Sequence, residues 1–572
     1  MKPATSEPAA AATSGDEAGT GRGAGRRAPS GLVIAAALLA FVAGGAFLER
    51  HTYFDRARDT LRGRAGPAGM PDEGSVGRAV ARALERYGAN AGFWRRPEAL
   101  PSSLVLTPEQ VAGELPVISI VADDDHLYDP DVGLMTNMSE TGPDWERLAW
   151  ASLWEHGELV AGSRVGLRIQ GDSSRYLGDP SFRLLFRPMY GASSVTGGRF
   201  LGADADPAAA VVVHVVRYRG LYTDVFVFEI ARRLGLPTVD FRPARTFLNG
   251  EERGVYVLTE RVMPDGWGLT HFGDPDFYMY VYKGETKQPS RDAHAALTEW
   301  ASAAAPLTMQ RAAERIDVDN LTRHLFTLMF CFTTDWAQGA ALLDRNDPEA
   351  RWFWLHWDMD QSFDERGIAG IEPWEQPLME LITLEAELDE LKILGIVTDA
   401  RHTERHTGDV RRLIFLRLLE SPEYRDHFVR VATDILNHEL TPAYFSDLLA
   451  RYEHLAESAG VYGGFDLGEY LRRRPDFARA EISRYFGLPD PVTVTVDAPP
   501  STTLMIDGYP EGDTYSGRYY PGQSLTIEPG AGGPAVAGWQ VGDRRVEGER
   551  LQVVVEQPLT IHLLPVPPGG DR

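Results

Sequence analysis

Apolar and polar positions divide the chain into stretches of different character, beginning with an unpatterned tail and one long apolar run. Residues 1–30 are mostly small or polar and hold too few apolar side chains to bury a core. Residues 31–48, GLVIAAALLAFVAGGAFL, carry no charge. At 1.5 Å per residue a helix of this length spans roughly 27 Å, close to the hydrocarbon thickness of a bilayer. The pattern predicts a disordered cytoplasmic tail followed by a transmembrane anchor.

Charged residues before the apolar run predict its orientation. Arg22, Arg26 and Arg27 precede it, which favours a cytoplasmic N-terminus and an extracytoplasmic location for the bulk of the chain. A cleaved signal peptide is the competing interpretation, because the sequence AGGA offers small residues at a cleavage position. The leader of 30 residues is long for a signal peptide, so we expect an uncleaved single-pass anchor in the cell membrane.

The remainder of the chain predicts a linker and two folded parts. Residues 49–112 are rich in Arg, Gly and Pro and are predicted to form a linker or stalk. Residues 113–488 mix β-rich runs such as SRVGLRIQG and AVVVHVVR with helical segments, which indicates an α+β domain. Residues 489–567 hold short strands between Gly and Pro turns and are predicted to form a small all-β sandwich module.

Three local signals in the α+β stretch are specific enough to predict single elements. Asn249-Gly250 lies between two β-rich runs and predicts a hairpin turn. The amphipathic run 224–234 predicts a helix that ends at Gly235. Ser421-Pro422-Glu423 predicts a helix start with a capping serine, a proline in the first turn and an acidic first turn.

Composition narrows the chemistry that the chain can perform. The net charge is −25, which argues against a nucleic-acid partner because phosphate neutralisation needs clustered cations. The single Cys331 excludes an internal disulfide framework and a cysteine-rich zinc site. Of 57 basic Lys and Arg residues only four are Lys. Any function that needs a lysine therefore has very few candidates.

The segment 333–363, TTDWAQGAALLDRNDPEARWFWLHWDMDQSF, is the most informative part of the sequence. An apolar helix is predicted to end near Asp335, and ALLDR and RWFWLHWDMD are predicted to form a hairpin whose second strand runs through the acids. The hairpin would bring Asp335 close to Asp358 and Asp360, a grouping that suits a divalent metal and a hydroxyl nucleophile. The alternative is that Asp335 and Asp358 merely cap a helix and a strand end.

A second segment, RIQGDSSRYLGDPSFRLLF at 168–186, places a Gly- and Ser-rich loop between two predicted strands. Backbone N–H groups, hydroxyls and a guanidinium in such a loop can cradle phosphates. A plain β-hairpin with a Gly/Ser turn is the alternative interpretation.

Taken in order, these segments resemble the CotH (spore coat protein H) kinase family. The resemblance rests on LPVISIVADDDHLYDPDVG, WER, RIQGDSSR, SFRLLFRPMYG, FLNGEERGVYVLTERV, TTDW and WDMDQSF, and covers roughly residues 115–486. It implies an atypical protein-kinase-like fold that uses ATP with Mg²⁺ or Mn²⁺. It also implies phosphorylation of Ser or Thr in extracytoplasmic surface or envelope proteins.

The resemblance also implies roles for individual residues. Asp335 matches the catalytic aspartate, and Asp358 matches the metal-binding aspartate with Asp360 beside it. Glu260 matches a recurrent glutamate that is expected near the nucleotide. The positions expected near the phosphates are Arg168, Gly171, Ser173, Ser174, Arg175 and Arg183.

Two departures from the family pattern keep other functions open. Family members carry a lysine just before SF(R/K)L, where this chain has Asp179 and Pro180, so the phosphate contact is expected to fall to Lys283 or an arginine. An asparagine that follows the DW pair in the family is replaced by Gln338. A non-catalytic (pseudokinase) adhesin or envelope assembly protein, and a metal-dependent hydrolase, are the alternative functions.

Overall fold

A computed structural model gives the fold of the chain from the end of the linker onward. The residues it describes are 106–171, 175, 178–215, 222–262, 267, 271, 277–282, 286–363, 371–383, 408–459 and 466–566. The predicted tail and anchor, and most of the predicted linker, lie outside these residues. Among the helices that are described, none combines the length and the apolar character needed to cross a bilayer.

Seven strands in the first part of the described chain form a closed barrel. Their order around the barrel is β1-β2-β3-β4-β5-β7-β6, and a parallel pairing of β1 with β6 closes it. The strands are β1 (Val117–Ala122), β2 (Arg147–Glu155), β3 (Glu158–Gln170), β4 (Ser181–Leu185), β5 (Ala210–Val215), β6 (Phe241–Leu248) and β7 (Glu251–Glu260). Short helices lie in the segments before and between the barrel strands. They are α1 (Pro108–Val111), α2 (Asp124–Tyr128), α3 (Ser194–Gly198) and 3₁₀ turns at Pro143–Trp145 and Pro188–Tyr190.

The alternation of side chains along the barrel strands divides them between two cores. Leu184 of β4 and Val211 and Val213 of β5 fill the barrel interior, so the residues between them face outward. On β7 the outward residues Val255 and Val257 belong to a second core, which the helices supply. The outer face of the barrel is therefore the surface on which the helical part packs.

Nine α-helices and a small sheet make up the rest of the described α+β part. The helices are α4 (Tyr222–Arg233), α5 (Gln288–Ser302), α6 (Met309–Ala313), α7 (Val318–Phe330), α8 (Glu380–Thr383), α9 (Val410–Leu418), α10 (Pro422–Asp434), α11 (Pro442–Ala459) and α12 (Leu467–Phe486). A 3₁₀ turn lies at Pro373–Glu375 and a π-helical turn at Ile435–Glu439. The sheet has the order β10-β9-β8, from β8 (Phe277–Val281), β9 (Ala340–Asp344) and β10 (Phe353–Leu355).

The three local predictions hold, with one correction. Asn249 and Gly250 both have positive φ and join β6 to β7, as a type I′ turn requires. Gly235 follows α4 with φ +68°, the left-handed conformation of a helix end. Pro422 begins α10 as expected, but the Ser421 side chain makes no capping hydrogen bond. The proline and the tertiary contacts of α10 define that helix start.

Residues 492–565 form two packed sheets with their own core. One has the strand order β14-β11-β19-β16-β17 and the other β13-β12-β15-β18. Their strands are β11 (Val492–Asp497), β12 (Leu504–Ile506), β13 (Tyr509–Glu511), β14 (Thr514–Tyr519), β15 (Ser524–Pro529), β16 (Val536–Val541), β17 (Arg544–Glu547), β18 (Leu551–Val554) and β19 (Leu559–Pro565). We refer to this part as the β module.

Polar contacts join the β module to the end of α10 and to the π-helical turn that follows it. The Asn437 amide donates to the Arg518 carbonyl over 3.0 Å and accepts from the Arg518 N–H over 3.1 Å. His438 shares a hydrogen bond of 2.7 Å with Glu511. Asp434 and Asp507 face each other in the same contact, each with a ligand-type atom within 4.8 Å of the other and of His438. Burial, reinforced by the charge of Asp507, raises the pKa of Asp434 to about 7.

A buried ion pair fixes the outer face of β3. Glu146 accepts from Arg168 Nε and Nη2 over 2.9 and 2.6 Å, and from Tyr190 Oη over 2.7 Å. Arg187 lies 3.3 Å from the same carboxylate. The Glu146 side chain is fully buried, so these partners replace the water that its carboxylate has lost.

We expect Glu146→Ala to destabilise the barrel. The substitution leaves the guanidinium of Arg168 without its carboxylate in a poorly solvated place, and we expect the free energy of unfolding to fall by about 3–5 kcal/mol. Glu252→Ala removes an exposed partner of Arg245 and should cost less than about 1 kcal/mol. Urea denaturation of both variants measures the difference, and equal effects would contradict a buried ion pair.

The Asp434–Asp507 contact predicts a pH-dependent stability. The pKa of Asp434 is raised in the folded protein above the value of about 3.9 in an unfolded chain, so the folded state holds its proton more tightly. The contribution of the protonated Asp434 carboxyl to the free energy of unfolding is fully present below about pH 4 and is lost as the pH rises through 7. We expect Asp434→Asn to be more stable than the unaltered chain at pH 8 by about 1–2 kcal/mol, with no such gain near pH 4.

Chemical unfolding at both pH values tests this expectation. Asp447→Asn, an exposed substitution on α11, is the matched control and should leave the pH profile unchanged. A gain for Asp434→Asn that is equal at pH 4 and pH 8 would show that ionisation of this carboxyl is not the cause.

Candidate functional site

Two loops that carry the predicted acids are bonded directly to each other. The first follows α7 and the second follows β10. The Thr334 N–H donates to the Gln361 carbonyl over 3.0 Å, and the Phe363 N–H donates to the Cys331 carbonyl over 2.7 Å. The hairpin predicted between them is confirmed, with Leu355 of β10 opposite Ala340 of β9. The hairpin therefore brings Asp335 close to the Asp358–Asp360 pair, as predicted, although the residues are far apart in the sequence.

The second strand of the hairpin is shorter than predicted. The sequence predicted one strand face from Trp352 to Asp360, but β10 ends at Leu355. Asp358 has φ +63°, a left-handed conformation that no regular strand contains. The prediction of a continuous strand is wrong because the pairing with β9 ends at Leu355, and the His356 N–H donates to the Pro237 carbonyl instead. Asp358 and Asp360 lie in a loop, so the directions of their side chains do not follow the alternation of a β-strand.

A buried arginine holds the loop that begins at Asp335. Arg411 Nη2 donates to the Trp336 carbonyl over 3.1 Å, and Nη1 donates to the Gln338 carbonyl over 2.9 Å. Nε and Nη2 also reach the two oxygens of Asp409 over 3.0 and 2.7 Å. The guanidinium lies 4.3 Å from the centre of the Tyr282 ring. A side chain with so many fixed partners sets the path of the loop after Asp335.

The same loop depends on a glycine at its end. Gly339 has φ +96°. A Cβ atom at this position would lie 2.5 Å from the Leu355 carbonyl oxygen, closer than real Cβ contacts come. Gly339 thus combines a conformation that favours glycine with a close approach to β10.

Gln338 orients the carboxylate of Asp335. Its Nε2 donates to Asp335 Oδ2 over 2.9 Å. Its Oε1 is buried and has no hydrogen-bond partner within the described part of the chain. The amide thus has a donor that is in use and an acceptor that is available.

His214 joins the acids from the opposite side. Because Val213 points into the barrel, His214 of β5 points outward, toward the helical part. Its Nδ1 lies 3.1 Å from Asp224 Oδ2 near the start of α4. His214, Asp358 and Asp360 each place a ligand-type atom within 4.8 Å of the others. Two loops, one strand and one helix therefore converge on one point.

The acids and His214 shift one another's pKa. Burial, followed by the charges of Asp358 and Asp224, raises the pKa of Asp360 to about 7. Burial acts to lower the pKa of His214, but the hydrogen bond to Asp224 and the nearby carboxylates outweigh it and raise the pKa to about 9. The site concentrates negative charge, and one imidazolium offsets part of it.

Two arginines lie on the same outer face of the barrel. Arg183 of β4 is opposite Val212 of β5, so it shares a face with His214 two residues further along β5. Arg183 Nε donates to Gln170 Oε1 over 2.7 Å. Arg261 Nη1 approaches the same oxygen, at 3.4 Å. Two guanidinium groups thus meet at Gln170 at the end of β3, on the barrel face that carries His214.

The other residues expected near a nucleotide have partners of their own. Arg168 is paired with Glu146, as described above. Arg175 donates to four backbone carbonyls, among them Gly171 and Ile169, and so fastens the loop that follows β3. Ser173, Ser174 and Lys283 lie outside the described residues.

Glu260, at the end of β7, is buried and accepts from Trp267 Nε1 over 3.1 Å. Its second partner is His271, whose Nε2 lies 2.8 Å away. Burial raises the pKa of Glu260, and the hydrogen bond to His271 opposes that effect. The structure gives Glu260 a role in fixing the end of β7, next to Arg261.

Sequence reasoning missed four members of the site: Gln170, His214, Asp224 and Arg261. One signal was available, because a histidine in the apolar run AVVVHVVR needs a polar partner once it is buried. Asp224 supplies that partner from a different element. The others carried no local signal, since their meaning depends on which strands become neighbours.

One comparison with known proteins identifies related sequences. The family model described as CotH kinase protein matches residues 167–461, slightly more than half of the 572-residue chain. The match includes the three acids, His214 and the two arginines. No curated protein matches the chain. The family suggests nucleotide and metal use in general.

Gly339 provides a test of how strictly the loop after Asp335 is held. We expect Gly339→Ala to lower the free energy of unfolding by about 3–5 kcal/mol, because it adds a clash with β10 to the strain of a positive φ. Gly250→Ala, at φ +81° with open space around the added Cβ, should cost only about 1 kcal/mol. Urea denaturation compares the two, and similar losses would contradict the close approach.

Proposed function

Because the chain belongs to the CotH kinase protein family, we propose that it transfers the γ-phosphoryl group of ATP to a Ser or Thr hydroxyl of extracytoplasmic proteins. The observation that carries this proposal is the convergence of Asp335, held by the Gln338 amide, with the Asp358–Asp360 pair. A proton acceptor beside paired carboxylates is what phosphoryl transfer to a hydroxyl requires.

The residues of the site suit the divalent metal that the family suggests. Asp358 and Asp360 are the carboxylates that would hold Mg²⁺ or Mn²⁺. The raised pKa of Asp360 is consistent with this assignment, since burial and then the charges of Asp358 and Asp224 disfavour its ionised form where no cation is bound. When bound, the metal supplies positive charge that neutralises phosphate oxygens.

Asp335 orients the acceptor hydroxyl and takes its proton. A new bond forms between the hydroxyl oxygen and the γ-phosphorus, the bond from that phosphorus to the bridging β–γ oxygen breaks, and ADP leaves with the electron pair. Gln338 holds the Asp335 carboxylate through Oδ2, and Arg411 holds the backbone of Gln338. The loop is thereby positioned before any substrate arrives, which is the main source of catalysis in this reaction class.

Arg183 and Arg261 are the residues we assign to the phosphates of ATP. Their guanidinium groups meet at Gln170, on the barrel face that carries His214. Asp179, which stands where the family has lysine, is 3.2 Å from Arg253 at the surface, and that pairing offsets its charge. Arg168 acts indirectly, since its ion pair with Glu146 steadies β3 two residues before Gln170.

The cell membrane is the location we propose, with the kinase part outside the cytoplasm. The proposal rests on the uncharged run 31–48 and the arginines before it. The acceptors are then surface or envelope proteins, which the kinase part reaches through the linker.

Radioactive phosphoryl transfer tests the proposed activity. With the full chain, [γ-³²P]ATP and Mn²⁺, we expect label to appear on casein, used as an acceptor with exposed serines. Asp335→Asn should reduce the rate by about 10²–10⁴-fold, the typical contribution of an acid–base group. Asp358→Asn should abolish labelling, whereas Asp447→Asn, exposed on α11, should leave it unchanged.

The same assay separates the alternatives. Release of inorganic phosphate without labelled acceptor would indicate a metal-dependent hydrolase instead. If ATP with Mn²⁺ neither labels an acceptor nor raises the melting temperature, the kinase proposal fails and a non-catalytic surface protein is favoured, because a ligand that binds the native state must stabilise it.

A further inference from the structure

The geometry points to His214 as a third metal ligand beside Asp358 and Asp360. From this we infer that the site selects a first-row transition-metal dication such as Mn²⁺ over Mg²⁺. The inference rests on the proposed function, because the two carboxylates are those we assign to the metal there. The inference adds a nitrogen ligand that the sequence did not predict. That ligand affects which metal the site prefers.

Asp224 fixes the orientation of the His214 ring. Its Nδ1 is taken up by Asp224 Oδ2 at 3.1 Å, so Nε2 is the nitrogen left to bind a ligand. The ligand-type atoms of His214, Asp358 and Asp360 lie within 4.8 Å of one another. A carboxylate that holds one ring nitrogen while the other faces the metal is the usual second shell of a metal-binding histidine.

Unpartnered oxygens around the cluster are the second, independent observation. Asp224 is 6% exposed and Gln338 is 3% exposed, yet Asp224 Oδ1 and Gln338 Oε1 have no hydrogen-bond partner among the described residues. A buried polar atom in this state has given up its hydration without a replacement hydrogen bond, which destabilises the fold. Both side chains lie beside the cluster: Asp224 bonds to His214, and Gln338 bonds to Asp335. The pattern is that of a site built to receive a further polar group.

The donor set decides which metals are favoured. Mg²⁺ takes oxygen ligands in a strict octahedron and gives up its water reluctantly. An imidazole nitrogen favours transition metals, whose affinities for nitrogen donors exceed that of Mg²⁺. One imidazole with two carboxylates therefore suits Mn²⁺, Fe²⁺ or Zn²⁺ better than an all-oxygen site does.

Metal binding to the full chain without nucleotide tests the inference. We expect isothermal titration to give an affinity for Mn²⁺ at least tenfold higher than for Mg²⁺. Bound Mn²⁺ should show a ¹⁴N coupling in its pulsed electron paramagnetic resonance spectrum, because imidazole nitrogen is in the first coordination shell. His214→Gln should remove this coupling and weaken Mn²⁺ binding by about 10–100-fold, with Mg²⁺ binding changed less than about threefold.

Control variants separate the possible results. His562→Gln, on β19, alters an exposed histidine 3.3 Å from Asp497 and should leave metal binding unchanged. Absence of ¹⁴N coupling in the unaltered chain, or equal affinities for Mn²⁺ and Mg²⁺, would overturn the inference even if His214→Gln did not fold. Equal weakening of both metals by a folded His214→Gln would also overturn it.

The proposed function fails by a different result. Undiminished Mn²⁺ binding in Asp358→Asn would show that the carboxylate assignment is wrong, and both proposals would fall. Nitrogen-coupled Mn²⁺ that depends on Asp358, in a chain that labels no acceptor, would support the metal ligand and refute the kinase activity. Acceptor labelling without nitrogen coupling would support the kinase and refute His214 as a ligand.

Discussion

The hydrogen bonds of one buried guanidinium hold the arrangement of the site together. Arg411 binds the carbonyls of Trp336 and Gln338, the carboxylate of Asp409 and the His324 ring, and it is fully buried. Its positive charge also affects a neighbouring side chain. Burial, together with that charge, lowers the pKa of His356 to about 3. His356 is therefore neutral, and the positive charge of Arg411 is paired with the Asp409 carboxylate.

Other buried arginines in the described part of the chain also donate to several backbone carbonyls where helices and strands end. Arg474 is completely buried and donates to the carbonyls of Met329 and Phe330, which end α7, and to those of Trp374 and Gln376. Arg175 fastens the loop after β3 in the same manner. A planar group with five donors can satisfy several carbonyls where regular structure stops, which an ammonium group cannot do with fixed geometry. The scarcity of lysine thus has a structural counterpart, since the loops that form the site are held by guanidinium groups.

The sequence predicted the elements of the fold well and the site only in part. The β-rich runs SRVGLRIQG and AVVVHVVR identified β3 and β5, and the turn Asn249–Gly250 was visible because its chemistry is local. Asp335 and Asp358 were paired correctly because a single hairpin connects them. Asp224 and His214 could not be found in this way, because their pairing depends on how α4 packs on the outside of β5. Arg168, which was expected near the phosphates, forms an ion pair with Glu146 because the antiparallel pairing of β2 with β3 brings the two residues together. A charged residue can bind a ligand or form a structural ion pair, and its neighbours in the folded chain determine which of these it does.

The contact between the β module and the helical part has a consequence for how the protein can be divided. Tyr520 of the module is one of the buried members of the helical core, and its hydroxyl donates to the Arg479 carbonyl on α12 over 2.8 Å. A cut at the start of β11 would remove this aromatic ring from that core and expose the surface it covers. The β module and the helical part therefore share one buried surface, and neither part keeps that surface covered without the other.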